Sequence, residues 1–240
     1  MAKQERAIWT RRTLLRAAAR EFDRHGYTGS SLAQIARSAD ISMGALTFHF
    51  ASKRDLADSV MEEGNAATRA LVERLSRHDG PPVQYVASLT LALVDLLERD
   101  PAVRAAARLA REDSGTRHQW HALWAPAVCE RLQQTPPGQK PPGTDVWAIA
   151  DMAIHLVSGI EATLRHPACH EGRRDSVRRL ARIWRQAVPG ITLPLDARDG
   201  LPDGVPGGVV RPVAGHDRRS SHTALHPPST GTPAPVTKEA

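Results

Sequence analysis

Only two cysteines, Cys129 and Cys169, occur in 240 residues, so no disulfide framework is implied. No run approaches the roughly 18 consecutive apolar residues that a membrane span requires, so no membrane-bound state is expected. The N-terminal stretch from Met1 to Arg16 carries charges with no apolar segment behind them, and does not read as a secretory leader. These absences together imply a cytoplasmic protein. Strand-like alternation bounded by hairpin turns is missing, and so is any internal repeat. A glycine-rich phosphate loop and a nucleophile elbow are also missing, and no catalytic constellation is visible, so an enzyme is not expected. His166, Cys169 and His170 match no closed zinc site, and His118 with His121 lacks a third ligand. No metal and no cofactor are expected.

What is present is unevenly distributed charge. The formal net charge is +6. Residues 1–54 hold ten Lys/Arg, among them Arg11, Lys53 and Arg54, against four acids, while the other 186 residues balance at 22 of each sign. A basic excess confined to one end of a chain is the electrostatic footprint of a phosphate-binding surface.

The apolar periodicity is helical nearly throughout, which predicts an all-α fold. Leu14, Ala18 and Phe22 form one stripe of a helix over 10–25 that Gly26 stops. Ser31-Leu-Ala-Gln34 and Ser52-Lys-Arg-Asp55 are capping boxes that open further helices, and Ser42 caps a short one between them. A long helix runs to about Arg77, and another carries Val83, Val86, Leu89, Leu93 and Leu97. Asp100-Pro101 reads as an N-cap followed by proline at the first helical position. A helix from about Thr116 to Gln134 is expected to kink at Pro126. Residues 135–143 read as a loop, and helices follow over 145–165 and about 174–188. The organisation expected is a helix-turn-helix domain at 1–54 and a larger helical domain at 55–188. A tail at 189–240, rich in Pro, Gly, Ser and Thr, is expected to be disordered.

Residues 31–50 carry the sharpest signal. Two short helices joined by a tight turn form a helix-turn-helix, with Leu32, Ile35, Ile41 and Leu46 able to lock them together. Gly44 and Ala45 keep the start of the second helix slim enough for a major groove about 12 Å wide. Ser31 and Ser42 sit at helix N-termini, where phosphates bind well. Arg11, Ser31, Ser42, Met43, Gly44, Ala45, Thr47, Phe48, His49 and Lys53 are therefore the candidate DNA contacts.

Residues 10–56 resemble the DNA-binding domain of the TetR family, whose G-x-L-Y-x-H-F pattern stands here as Gly44-Ala-Leu-Thr-Phe-His-Phe50. The opening segment and the stretch from Gly44 to Ala57 are similar, more narrowly, to the γ-butyrolactone receptors of actinobacteria and their pseudo-receptor relatives. The resemblance implies a ligand-responsive repressor that binds a pseudopalindromic operator as a homodimer. A small apolar signal, such as a γ-butyrolactone or an antibiotic, would release it. Three positions depart from the pattern. Thr47 stands where the family usually has a phosphate-reaching tyrosine, Met43 where these receptors often have lysine, and Trp9 where the arm often has arginine. They keep a second reading open, in which a ligand-binding dimer has lost specific operator binding.

For the larger domain, the resemblance aligns Trp124 with a tryptophan of the receptor pocket, where an indole could stack on a lactone. Trp120 and Trp147 are further ligand candidates, for which burial in an ordinary core competes. Ile154, Val157, Leu180 and Trp184 are expected to form a dimer interface as part of a four-helix bundle, with Trp184 as its anchor.

Overall fold

The computed structural model describes residues 2–77, 80–112, 119–134, 145–164 and 175–193, and among them there is helix but no strand. In chain order the helices are α1 (Ala2–Gly29), α2 (Leu32–Ser38), α3 (Met43–His49), α4 (Lys53–Ser76), α5 (Pro82–Arg99) and α6 (Pro101–Glu112). A 3₁₀ turn (Trp120–Leu123), α7 (Ala125–Gln133), α8 (Val146–Thr163) and α9 (Ser176–Ala187) follow. The loop expected at 135–143, the cluster at His166, Cys169 and His170, His118 and most of the tail lie outside the described residues.

Local chemistry explains the boundaries. The helical span begins at Ala2, well before the expected start near residue 10, and the path breaks at Gly26 with φ 69°. The Glu112 carboxylate lies 2.2 Å from where a β-carbon of residue 26 would stand, so both backbone and space demand glycine. Ser31, Ser42 and Ser52 cap α2, α3 and α4 by accepting from the amides of Gln34, Ala45 and Asp55. Asp100 accepts from Ala102 N–H at 2.8 Å and starts α6. Pro126 does not kink one long helix. The chain ends a 3₁₀ turn at Leu123 and restarts with Pro126 in the first turn of α7, where its missing N–H costs nothing.

Two hydrophobic cores share α6. Leu14, Phe22, Ile35, Leu46, Phe50, Leu56 and Val60 build the first, completed by Ala102, Ala105 and Leu109 from one face of α6. The second is larger and contains Leu89, Leu93, Leu97, Trp124, Val157, Leu180 and Trp184, with Val103, Ala107 and Ala110 from the other face. The expected boundary at residue 54 falls where α4 begins. That helix gives Leu56 and Val60 to the first core and Leu71 and Leu75 to the second. Order also continues past 188, since Ile191 and Leu193 pack onto the second core.

By length and a mean hydropathy of 1.2, α8 could cross a bilayer. Its Ala150, Ala153 and Val157 are instead buried in the second core, while Asp151 and His155 occupy its exposed side. It is a wall of this bundle with an outward apolar surface.

Candidate nucleic-acid interface and ligand cleft

The first core aims the helix-turn-helix. Between α2 and α3, Asp40 adopts φ 54°, a left-handed position that short polar side chains tolerate. Ile41 N–H reaches Ala36 O at 3.0 Å and Asp40 N–H reaches Arg37 O at 3.2 Å, so α2 ends in a Schellman motif with aspartate where glycine is usual. No glycine marked this turn in the sequence. Leu46 is fully buried, and its burial turns the opposite side of α3 outward, with Met43 42% and Phe48 82% exposed. Gly44 and Thr47 share that exposed surface, while Ala45 and His49 are half-buried.

Gly44 is the most telling position. A β-carbon there would meet no atom within 4 Å, so nothing inside the protein requires glycine. A helical glycine costs up to about 1 kcal/mol relative to alanine. The requirement therefore lies outside the protomer.

The polar groups of this face are already oriented. Ser31 Oγ accepts from Gln34 N–H and donates to Gln34 Oε1 at 2.8 Å, so the box closes side chain to side chain. The Arg11 guanidinium lies 5.1 Å from the centre of the Phe50 ring and 3.5 Å from Ser59 Oγ. The Lys53 ammonium sits 4.4 Å over the Tyr27 ring. Cations parked on rings lose less freedom on meeting a phosphate. Thr47 behaves differently: its hydroxyl turns back on its own helix, sharing one hydrogen between Met43 O at 3.0 Å and Gly44 O at 3.1 Å. Trp9 is 66% exposed beside an exposed Ile8, an apolar pair whose outward position only the structure defines.

In the larger half, a cleft of about 410 Å³ opens between α6, the 3₁₀ turn and α8. Trp120 lines it, donating its indole N–H to Thr68 Oγ1 at 3.0 Å, and packs edge-on against Trp124 with ring centres 5.9 Å apart. Trp124 is fully buried, and its indole N–H has no acceptor in the structure. Trp147 is 55% exposed, so the protomer encloses it in neither a core nor a cavity. Among the described residues, no cluster of His, Cys, Asp or Glu could hold a metal ion.

The expected dimer contacts need correction. Val157, Leu180 and Trp184 have no exposed surface in the single protomer, and Trp184 donates its indole N–H to Thr90 Oγ1 at 2.8 Å. A side chain sealed in its own core cannot anchor a partner. Ile154 alone of the four remains half-exposed. The apolar side chains that α8 and α9 present outward are Trp147 and Ile183.

Sequence reasoning also missed the polar ties across α6. Arg104 Nε pairs with the buried carboxylate of Asp23 at 2.8 Å, and Arg108 donates to the carbonyls of Asp23 and Arg24. Glu112 accepts from Tyr27 N–H at 2.7 Å, while its neighbour Arg111 pairs with Glu161 of α8 in the cleft. The available signal was arginine at 104, 108 and 111, an i, i+4, i+7 spacing normally held by apolar residues.

Residues 14–60 match the family described as bacterial regulatory proteins, tetR family. Over 197 residues the chain is 30% identical to the A-factor receptor protein of Streptomyces griseus, spanning 81% of this chain and 68% of that one. Among solved structures, a γ-butyrolactone receptor (ArpA-like protein) superposes with a TM-score of 0.62 at 28% identity, over 80% of this chain and 92% of that one. CprB from Streptomyces coelicolor, in complex with its biological operator sequence, gives 0.63 at 29% identity, over 81% and 93%. The chain belongs to the TetR family of DNA-binding transcriptional regulators, in the branch of the γ-butyrolactone receptors.

Proposed function

We propose that this protein is a cytoplasmic, homodimeric repressor that docks α3 of each protomer in successive major grooves of a pseudopalindromic operator and releases it when a small molecule binds the larger half. The observation that carries this reading is α6. One short helix lines the cleft with Ala107, Ala110 and Arg111, and grips the DNA-facing half through Arg104, Arg108 and Glu112. A ligand that moves α6 therefore acts on α1 directly. The recognition helices of a dimer must lie about 34 Å apart to fit adjacent grooves, so a small shift separates bound from released states.

Three features support the partners. The basic excess of residues 1–54 and the outward Gly44 suit a phosphate-lined groove. The unsatisfied Trp124 N–H, buried at a cost of about 1–3 kcal/mol, suits a ligand bearing an acceptor. Such a ligand reaches Trp124 only by displacing Trp120. The outward Trp147, Ile154 and Ile183 suit a second copy packing against α8 and α9.

The Thr47 hydroxyl, engaged on its own helix, favours a second reading: a ligand-binding dimer without specific operator affinity. Fluorescence anisotropy on a pseudopalindromic operator from the protein's own upstream region, at two salt concentrations and against scrambled DNA, separates the two. Specific, salt-steep binding is expected. Thr47→Tyr is expected to raise affinity and steepen the salt slope by about one unit, one phosphate contact's worth. Binding no tighter than to scrambled DNA would leave the second reading standing.

A further inference from the structure

We infer that the cleft between α6, the 3₁₀ turn and α8 accepts a ligand carrying a protonated amine, with Glu161 as its counter-ion and Arg111 as the group it displaces. The inference rests on the reading of this cleft as a ligand site and adds the chemical class of the occupant.

The ion pair in the cleft is lopsided. Side-chain exposure is 2% for Glu161 and 51% for Arg111. Arg111 can swing into water at little cost, because its guanidinium is already half-solvated. Glu161 has no such escape, and a carboxylate at that depth requires a positive partner. A ligand ammonium supplies one. An anionic ligand would have to draw Arg111 away, leaving Glu161 buried without its counter-ion and adding a like charge beside it. A neutral ligand leaves the pair intact and gains nothing from either charge.

The remaining lining agrees with this polarity. His155 Nδ1 lies 2.7 Å from the Asp151 carbonyl, which can only accept, so Nδ1 carries the proton. In the neutral ring Nε2 is then an acceptor. Trp120 has committed its N–H to Thr68, and so offers the cleft only its ring, a surface that attracts cations. Ser158, Gln119 and His121 complete the polar lining, and Ala107, Ala110 and Ile154 form an apolar floor for the ligand body. About 410 Å³ is room for a drug-sized molecule.

Three dansyl probes of matched length test the inference on the full chain without DNA: dansylcadaverine, its neutral N-acetyl derivative, and the dansyl amide of 6-aminohexanoic acid. Fluorescence titration is expected to show the amine binding at least about tenfold tighter than the neutral probe, and the acid no tighter than the neutral one. Glu161→Gln keeps the shape and removes the charge. It is expected to bring the amine within about threefold of the neutral probe while leaving the neutral probe unchanged. Arg111→Gln removes the internal competitor and is expected to tighten amine binding, a sign opposite to that of an anion site. If this variant loses its helical circular dichroism, Glu161→Gln decides alone. A neutral or acidic probe binding as tightly as the amine would overturn the inference. So would an amine preference that survives Glu161→Gln, or no binding of any probe at about 1 mM. Operator binding is read separately, so failure here leaves the regulator reading to its own measurement.

Discussion

The two cores that meet on α6 are built to different degrees of completion. In the first, around Leu14, Phe22, Ile35 and Leu46, the buried charge of Asp23 is paired with Arg104, and the buried Ser30 hydroxyl donates to Gly26 O at 2.7 Å. In the second, two buried tryptophans differ sharply. Trp184 is hydrogen-bonded to Thr90, and Trp124 has a buried N–H with nothing to donate to. A cleft opens beside the incomplete one. A closed core holds a recognition surface in a fixed geometry, while an unsatisfied group and adjoining space leave a ligand something to gain. The division of labour between frame and sensor is thus written into which polar atoms are satisfied.

The largest test of this contrast compares tryptophans by burial. Trp184→Ala should cost about 3–5 kcal/mol of unfolding free energy, because it empties a sealed core position and strands the Thr90 hydroxyl. Trp147→Ala should leave protomer stability nearly unchanged, and weaken the dimer in sedimentation equilibrium. Equal losses in chemical denaturation would remove the distinction between inner and outer faces of α8 and α9. Next in size is Asp23→Ala, expected to cost about 3 kcal/mol by leaving the buried Arg104 guanidinium without its carboxylate. Arg104 keeps bonds to the carbonyls of Leu97 and Glu98, which limits the loss. Urea denaturation measures it, and a change under about 1 kcal/mol would show that α6 is held to α1 by apolar packing alone.

The first core was legible in the sequence because its signals are local. Serine caps at 31, 42 and 52, and apolar residues at helical spacing, name both the elements and their inward faces. The second was legible only as a set of helices. Its stripes on α8 and α9 are apolar enough to meet either the protomer's own α5 or a partner, and periodicity alone does not choose between them. Val157, Leu180 and Trp184 were therefore assigned outward when they face α5 and its Thr90. The arginines of α6 were missed for a related reason. Their partners lie 50 to 85 residues away, and no local pattern names a partner at that range.

A subtler effect is expected at Trp124→Phe. The smaller ring loses packing, but the variant also removes the N–H that has no acceptor, so the net change in stability should stay within about 1 kcal/mol. Trp184→Phe removes a satisfied N–H and should cost more, about 2 kcal/mol. Thermal denaturation of the pair reads the difference directly. If both variants lose the same stability, the Trp124 N–H is satisfied in solution and the asymmetry between the two tryptophans disappears.

The smallest effect bears on the frame rather than the sensor, and its value lies in opposite signs. Gly44 lies in α3 with open space where a β-carbon would go. Gly44→Ala should therefore stabilise the fold by a few tenths and up to about 1 kcal/mol, through lower entropy of the unfolded chain. The same methyl group stands on the exposed face of α3, between Met43 and Thr47, where a groove wall would approach the backbone. Operator affinity should fall even as the melting temperature rises. Structural damage moves both quantities downward, and an irrelevant surface position moves only the first. A rise in stability with unchanged affinity would mean that the start of α3 stays clear of DNA, and that the slim surface around Gly44 serves some other contact.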